Sequence, residues 1–279
     1  MAGKRAAAGN TLAYLGFVDS SGKLLGSSTT APSNGSISPM LRLLGIQQAQ
    51  AGIQEPEDVQ IPGDDGSLGI ITFDPQTTPS FIATFGAGDL DLDALLLAVT
   101  KFSVGDTDFV TLQPNDPGYL NACLILQSRA LGKDDVDSGQ ALYEGQLFPL
   151  VQCVPLGRET FAGRQAAVYR VKITTQVGSH MPSGVTLTSA LAGTDGSPAI
   201  EFKGKDPILM ERITGNNSTT SFELSKKVAR TTNITAYQGN GQALTHGSGI
   251  TAAANDETLQ FTAAPGAGVE VVVVYGFVP

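Results

Sequence analysis

The run Val269-Glu270-Val271-Val272-Val273-Val274-Tyr275 most constrains what this chain can fold into. β-Branched side chains are stiff about χ1 and crowd a helix, yet they pack well on a pleated surface, so a stretch this dense in valine reads as a strand. The segment before it is turn chemistry. In Ala263-Ala264-Pro265-Gly266-Ala267-Gly268 the proline presets φ and the glycines admit positive φ. Further upstream, Thr258-Leu259-Gln260-Phe261-Thr262 reads as another strand, and Asn240-Gly241 favours the two positive φ angles of a type I′ hairpin turn. The stretch from Thr231 to Pro279 is therefore expected to form a small all-β module.

The same alternation runs through the middle of the chain. Residues 68–73, 81–85, 109–112 and 120–127 are strand-like, and Gly63-Asp64-Asp65-Gly66, Asp74-Pro75 and Pro114-Asn115-Asp116-Pro117-Gly118 punctuate them. In residues 168–177, Tyr169, Val171, Ile173 and Val177 share one face and Arg170, Lys172 and Gln176 the other, which predicts a half-buried antiparallel strand. One short helix is expected at Asp89-Leu90-Asp91-Leu92-Asp93 and on to Val99, with carboxylates where the helix dipole favours them and a leucine stripe behind. Ser38-Pro39-Met40 reads as a second helix start, with Ser38 as N-cap and Met40, Leu41, Leu43 and Leu44 as its apolar face. Residues 1–36, rich in Gly, Ser, Thr and Pro, read as an arm or long loop.

A length of 279 residues suggests two domains. Thr214-Gly215-Asn216-Asn217-Ser218-Thr219-Thr220 has linker composition, which divides the chain into residues 1–213 and 214–279 and predicts that a cut near Asn216 leaves 1–213 folded. Charged residues make up 15%, against about 25% in an average soluble protein, so part of the surface is expected to be covered by other subunits. A net charge of −9 argues against a protein that grips phosphates, because such proteins concentrate Lys and Arg. No stretch approaches the roughly 18 apolar residues of a membrane span. The first ten residues lack the apolar centre of a secretory signal.

Catalytic and metal chemistry find little support. Cys123 and Cys153 stand in apolar surroundings and read as buried, inert thiols. His180 and His246 have no ligand partners at metal spacing and read as loop residues. Gly132-Lys133 is followed by Asp134 and lacks the first glycine of a phosphate loop. Asp89, Asp91 and Asp93 open like a calcium loop, but Ala94 and Thr100 stand where glycine and glutamate are required. Asp134-Asp135-Val136-Asp137 reads as a solvated loop, and Lys226-Lys227 with Arg230 as a solvated strand end. No cofactor, metal or catalytic residue is expected.

The order of these pieces carries a resemblance. The terminal series resembles the C-terminal β-modules of bacteriophage tail and other virion proteins. Gly63-Asp64-Asp65-Gly66-Ser67-Leu68-Gly69 before Ile71-Thr72-Phe73, Phe81-Ile82-Ala83-Thr84-Phe85 leading into Asp89, and Phe161-Ala162-Gly163-Arg164 before Tyr169 together resemble a siphophage-type major tail tube protein. The resemblance implies a mainly β fold: an antiparallel β-sandwich or half-barrel with one short α-helix, plus a small C-terminal immunoglobulin-like sandwich. It also implies a homo-oligomer of stacked, usually hexameric rings in a phage tail, assembled in the host cytoplasm with other tail proteins. DNA would pass through the bore without tight binding, and Asp64, Asp65, Asp106 and Asp108 are the acidic residues expected to face it. A capsid decoration or adaptor protein and a carbohydrate-binding adhesin are the alternatives; the absence of Trp weighs against the adhesin.

Overall fold

A computed structural model describes residues 6–7, 12–19, 22–43, 57–62, 68–73, 80–86, 101–105, 107–110, 120–131, 142–158, 168–175, 200–239 and 242–279. Among the described residues every regular element is a strand, so the mainly β class holds. The helix expected over 89–99 lies outside them. In chain order the strands are β1 (Ala6–Ala7), β2 (Leu12–Val18), β3 (Leu24–Gly26), β4 (Ile37–Pro39), β5 (Leu41–Leu43), β6 (Glu57–Pro62) and β7 (Leu68–Phe73). Next come β8 (Ser80–Gly86), β9 (Lys101–Val104), β10 (Thr107–Val110), β11 (Leu120–Leu131), β12 (Leu142–Arg158), β13 (Val168–Thr175) and β14 (Ile200–Gly204). The C-terminal set is β15 (Ile208–Thr214), β16 (Ser221–Glu223), β17 (Ile234–Gln238), β18 (Ala243–His246), β19 (Gly249–Ala252), β20 (Thr258–Phe261) and β21 (Glu270–Gly276).

The first large sheet runs β3-β2-β11-β12-β13-β8, with β1 on β11, β5 on β2 and β14 on β12. Its spine is the antiparallel pair β11 and β12, which are 12 and 17 residues long. Along one edge β12 changes partner: residues 143–147 pair with β14 and residues 151–158 with β13. The register slips between Pro155 and Gly157, next to a residue that has no N–H to give the ladder. The second sheet runs β16-β20-β19-β18-β17-β21-β15-β4, antiparallel except for the β18–β19 step. Hairpins β6–β7 and β9–β10 stand as separate two-stranded sheets. The turn chemistry around Asp64 thus separates two paired strands, as expected.

Two N-terminal expectations are corrected. Residues 12–18 are not an arm: β2 lies between β11 on one side and β3 with β5 on the other, and Ala13, Tyr14, Leu15, Phe17 and Val18 are all buried. A strand covered on both faces shows a continuous apolar run instead of alternation, so the polar clusters around it dominated the reading. Gly16 belongs to this packing. A Cβ there would meet Leu24 Cδ1 at 2.7 Å.

Ser38-Pro39-Met40 does not start a helix. Residues 37–39 form β4 in the second sheet and residues 41–43 form β5 in the first, so the chain changes sheets at Met40 alone. Ser38 Oγ accepts from Ser27 N at 3.2 Å instead of capping a helix. Pro39 is tolerated because β4 is an edge strand. Buried Met40 fills the corner between the sheets. Four apolar residues in a short window fit a helix face or a strand equally well, and here strand pairing decided.

A second crossing follows at residues 205–207, between β14 of the first sheet and β15 of the second. The core is continuous across both sheets. Cys123, Ile125 and Leu147 belong to the same buried cluster as Leu209, Ile213, Val271 and Val273, and the rings of Tyr14 and Phe277 meet edge to face at 5.7 Å. β15, which ends at the expected domain boundary, pairs with β21 along its whole length, so the C-terminal sheet takes strands from before that boundary. The presumed linker is an ordered turn. Asn216 Oδ1 accepts from Ser218 N and Thr219 N, and Asn217 sits at φ 66°. Both cysteines are buried free thiols, and desolvation pushes Cys153 up to about 12 and Cys123 higher still.

Candidate functional site: the seam between the sheets

β15 is buried on both faces, and its alternation assigns each side chain to one of two environments. By register, Leu209, Glu211 and Ile213 share a face with Tyr275, Val273 and Val271. Met210, Arg212 and Thr214 share the other face with Val274, Val272 and Glu270. One acid and one base, adjacent in sequence, are therefore carried in opposite directions into two buried layers.

On the first face Glu211 has no exposed surface. Its carboxylate accepts from Ser225 Oγ at 2.6 Å, from Ser225 N at 3.0 Å, and from the Tyr275 hydroxyl. Desolvation raises its pKa, against the lowering effect of these donors and of Lys226. Tyr275 is pushed upward by burial and by the neighbouring carboxylate, so it stays a protonated donor. A serine beside a carboxylate resembles a nucleophile and its base, but although Ser225 is exposed, the buried Glu211 carboxylate is also committed to the Ser225 main-chain N–H and the Tyr275 hydroxyl. The cluster is internal wiring.

On the second face Arg212 Nη1 donates to Leu24 O at 2.8 Å and Nη2 pairs with Glu270 Oε1 at 2.6 Å. Lys23 Nζ lies 3.6 Å from the other oxygen of Glu270. Arg212 thus ties β15 and β21 of the second sheet to β3 of the first. Gln127, on β11, adds a further tie: Ile208 N donates to its Oε1 and its Nε2 donates to Ile208 O, each at 2.8 Å. A side-chain amide here copies what a neighbouring strand would supply.

The sequence-predicted residues are placed elsewhere or lie outside the described residues. Asp108 is in β10, opposite Ser103, and Asp64, Asp65 and Asp106 lie outside the described residues. Arg170 and Lys172 sit on β13, between β12 and β8. His246 is exposed and its Nδ1 accepts from Ala252 N at 3.2 Å. His180 lies outside the described residues. Among the described residues no group of three His, Cys, Asp or Glu could hold a metal ion. Arg230 is not wholly solvated, since it lies 3.4 Å from Asp206. Reading the sequence missed Glu211, Arg212, Glu270 and Gln127. The available signal was Glu211-Arg212 inside the run Ile208-Leu209-Met210 and Ile213, since two adjacent charges in an apolar strand must enter both of its faces.

Glu211 makes stability depend on pH. Because its folded pKa is raised, the stability from proton binding is fully present below the ordinary glutamate value of about 4.3 and is lost as pH rises through the folded value. Glu211→Gln keeps an acceptor oxygen and should flatten urea-unfolding stability over that window by up to about 1.4 kcal/mol per pH unit. Glu211→Ala should remove the same slope and in addition cost about 3 kcal/mol, because Tyr275 and Ser225 lose a buried acceptor. An unchanged pH slope in Glu211→Gln would refute the assignment.

No protein-family model matches the chain, and no curated protein matches it.

Proposed function

We propose that this chain is a non-enzymatic structural virion protein, the major tail tube subunit of a siphophage-type tail, whose rings stack into a conduit for DNA. The observation that carries this reading is the first sheet. It is a broad antiparallel sheet whose outer strand β8 pairs on one side only among the described residues, and residues 80–86 contain no charge or proline to blunt that edge. Unpaired edges of this kind invite pairing with another copy, and a head-to-tail contact that closes gives a ring. The low charge content and net charge of −9 fit a subunit covered by neighbours around an acidic bore that does not retain a polyanion.

Electron microscopy of the negatively stained full chain is the test. Rings or stacked tubes should form at high concentration, and they should retain duplex DNA negligibly at physiological salt. A species that is monomeric at every concentration and salt would overturn the reading. Tight, salt-sensitive DNA retention by intact tubes would instead remove Asp64, Asp65, Asp106 and Asp108 from the bore while leaving the tube standing.

A further inference from the structure

The end of β15 holds a turn that contains one of the most reactive dipeptides in protein chemistry. Ser36 N donates to Ser33 O at 3.2 Å, which places Asn34 and Gly35 at the centre of the turn. Asn34 is exposed, and Gly35 has φ 82°, the conformation required at the third position of a type II turn. The turn is docked on the seam. Gly35 N donates to Thr214 O at 2.7 Å, and Thr214 N donates to Ser36 O at 3.0 Å. A Cβ on Gly35 would collide with the Asn216 side-chain amide, so only glycine fits.

In an Asn-Gly pair the glycine nitrogen is a nucleophile aimed at the asparagine side chain, and the missing Cβ leaves its approach unhindered. A bond forms between Gly35 N and Asn34 Cγ, the amide proton passes to solvent base, and Nδ2 leaves as ammonia. The product is a five-membered succinimide. Water then adds to one of its two carbonyls, and ring opening yields aspartate or isoaspartate. One water is consumed, one ammonia is released, and nothing is oxidised or reduced. Attack requires the Gly35 nitrogen to shed its proton, and in the docked turn that N–H is held by Thr214 O.

We propose that Asn34 is a deamidation site gated by the seam, silent while the turn is docked on β15 and reactive when it separates. Conversion is one-way. Isoaspartate routes the main chain through the former side chain and inserts an extra backbone atom before Gly35, so the paired bonds from Gly35 and to Ser36 no longer meet Thr214 together. Either product also places a new carboxylate beside the end of β15. A transient opening would thus be recorded as a permanent weakening of the β4–β15 pairing, the edge from which the chain crosses to the first sheet at Met40.

The test is peptide mapping by mass spectrometry, with isoaspartyl methyltransferase labelling, of the full chain aged at mildly alkaline pH. Asn34 should convert on the order of a hundredfold more slowly in the native protein than in denaturing urea, because the rate scales with the fraction of open molecules. Arg212→Ala leaves the turn untouched but removes the tie to β3, and should raise the native rate. If that variant does not fold, wild-type protein in urea below its unfolding transition serves the same purpose. Equal conversion in native and unfolded protein, within a factor of about two, would overturn the proposal. A native rate indifferent to every condition that loosens the seam would do the same.

Discussion

A chain ending at Asn216 is expected to fail to fold and to collect in the insoluble fraction. The cut removes β16 to β21, and with them the strand that pairs with β15 from Ile208 to Thr214. Val271, Val272, Val273, Tyr275 and Phe277 are each at most 3% exposed, so their loss uncovers the apolar surface they pack against. At about 2 kcal/mol for each buried side chain the loss is about 10 kcal/mol, comparable to the whole stability of a typical domain. It also leaves Glu211 without Tyr275 and Ser225, Arg212 without Glu270, and Tyr14 without the ring of Phe277. This outcome is opposite to the one that linker composition predicts. Solubility, size-exclusion chromatography and near-ultraviolet circular dichroism of the truncated chain decide between them, and a soluble, cooperatively unfolding 1–216 product would show that the first sheet stands alone.

Arg212→Ala should destabilise the full chain by about 3 kcal/mol, because Glu270 loses its buried partner and keeps only the more distant, half-exposed Lys23. The Arg212 side chain is 5% exposed, and the Glu270 it abandons is 14% exposed. Lys23 is the internal control. It approaches the same carboxylate but is 43% exposed, so Lys23→Ala should cost less than about 1 kcal/mol. Urea unfolding of both variants checks the contrast, and equal effects would mean that the guanidinium does not join the sheets. Replacing Arg212 and Glu270 together by Met and Gln should recover much of the loss, since a buried pair exchanged for neutral groups of similar volume is often near neutral.

Period-two alternation, β-branched runs and turn residues are local properties, and they were legible. Residues 68–73 form the expected strand β7, residues 168–175 pair antiparallel on both sides as β13, and the valine run became β21 between β15 and β17. The Asn240-Gly241 turn itself lies outside the described residues, but β17 and β18 around it are antiparallel neighbours. Burial of the two cysteines also followed from their apolar neighbours.

What local reading could not supply is which sheet a strand joins. Leu12–Val18 looked like part of an arm because a strand covered on both faces carries no alternation, and its cover comes from residues far along the chain. Ser38-Pro39-Met40 looked like a helix start because its hydrogen bonds go to β15, more than 170 positions later. The seam residues were hidden for the same reason. Nothing near Gln127 in sequence announces that its amide will pair with the main chain of Ile208, and nothing near Arg212 announces Leu24. The sequence by itself determined strands, turns and an apolar content sufficient for a core. Tertiary structure alone decided that the chain would cross between sheets at Met40 and at residues 205–207, and that Glu211 and Arg212 would be buried on opposite faces of one strand, because a buried charge persists only where distant groups supply its partners.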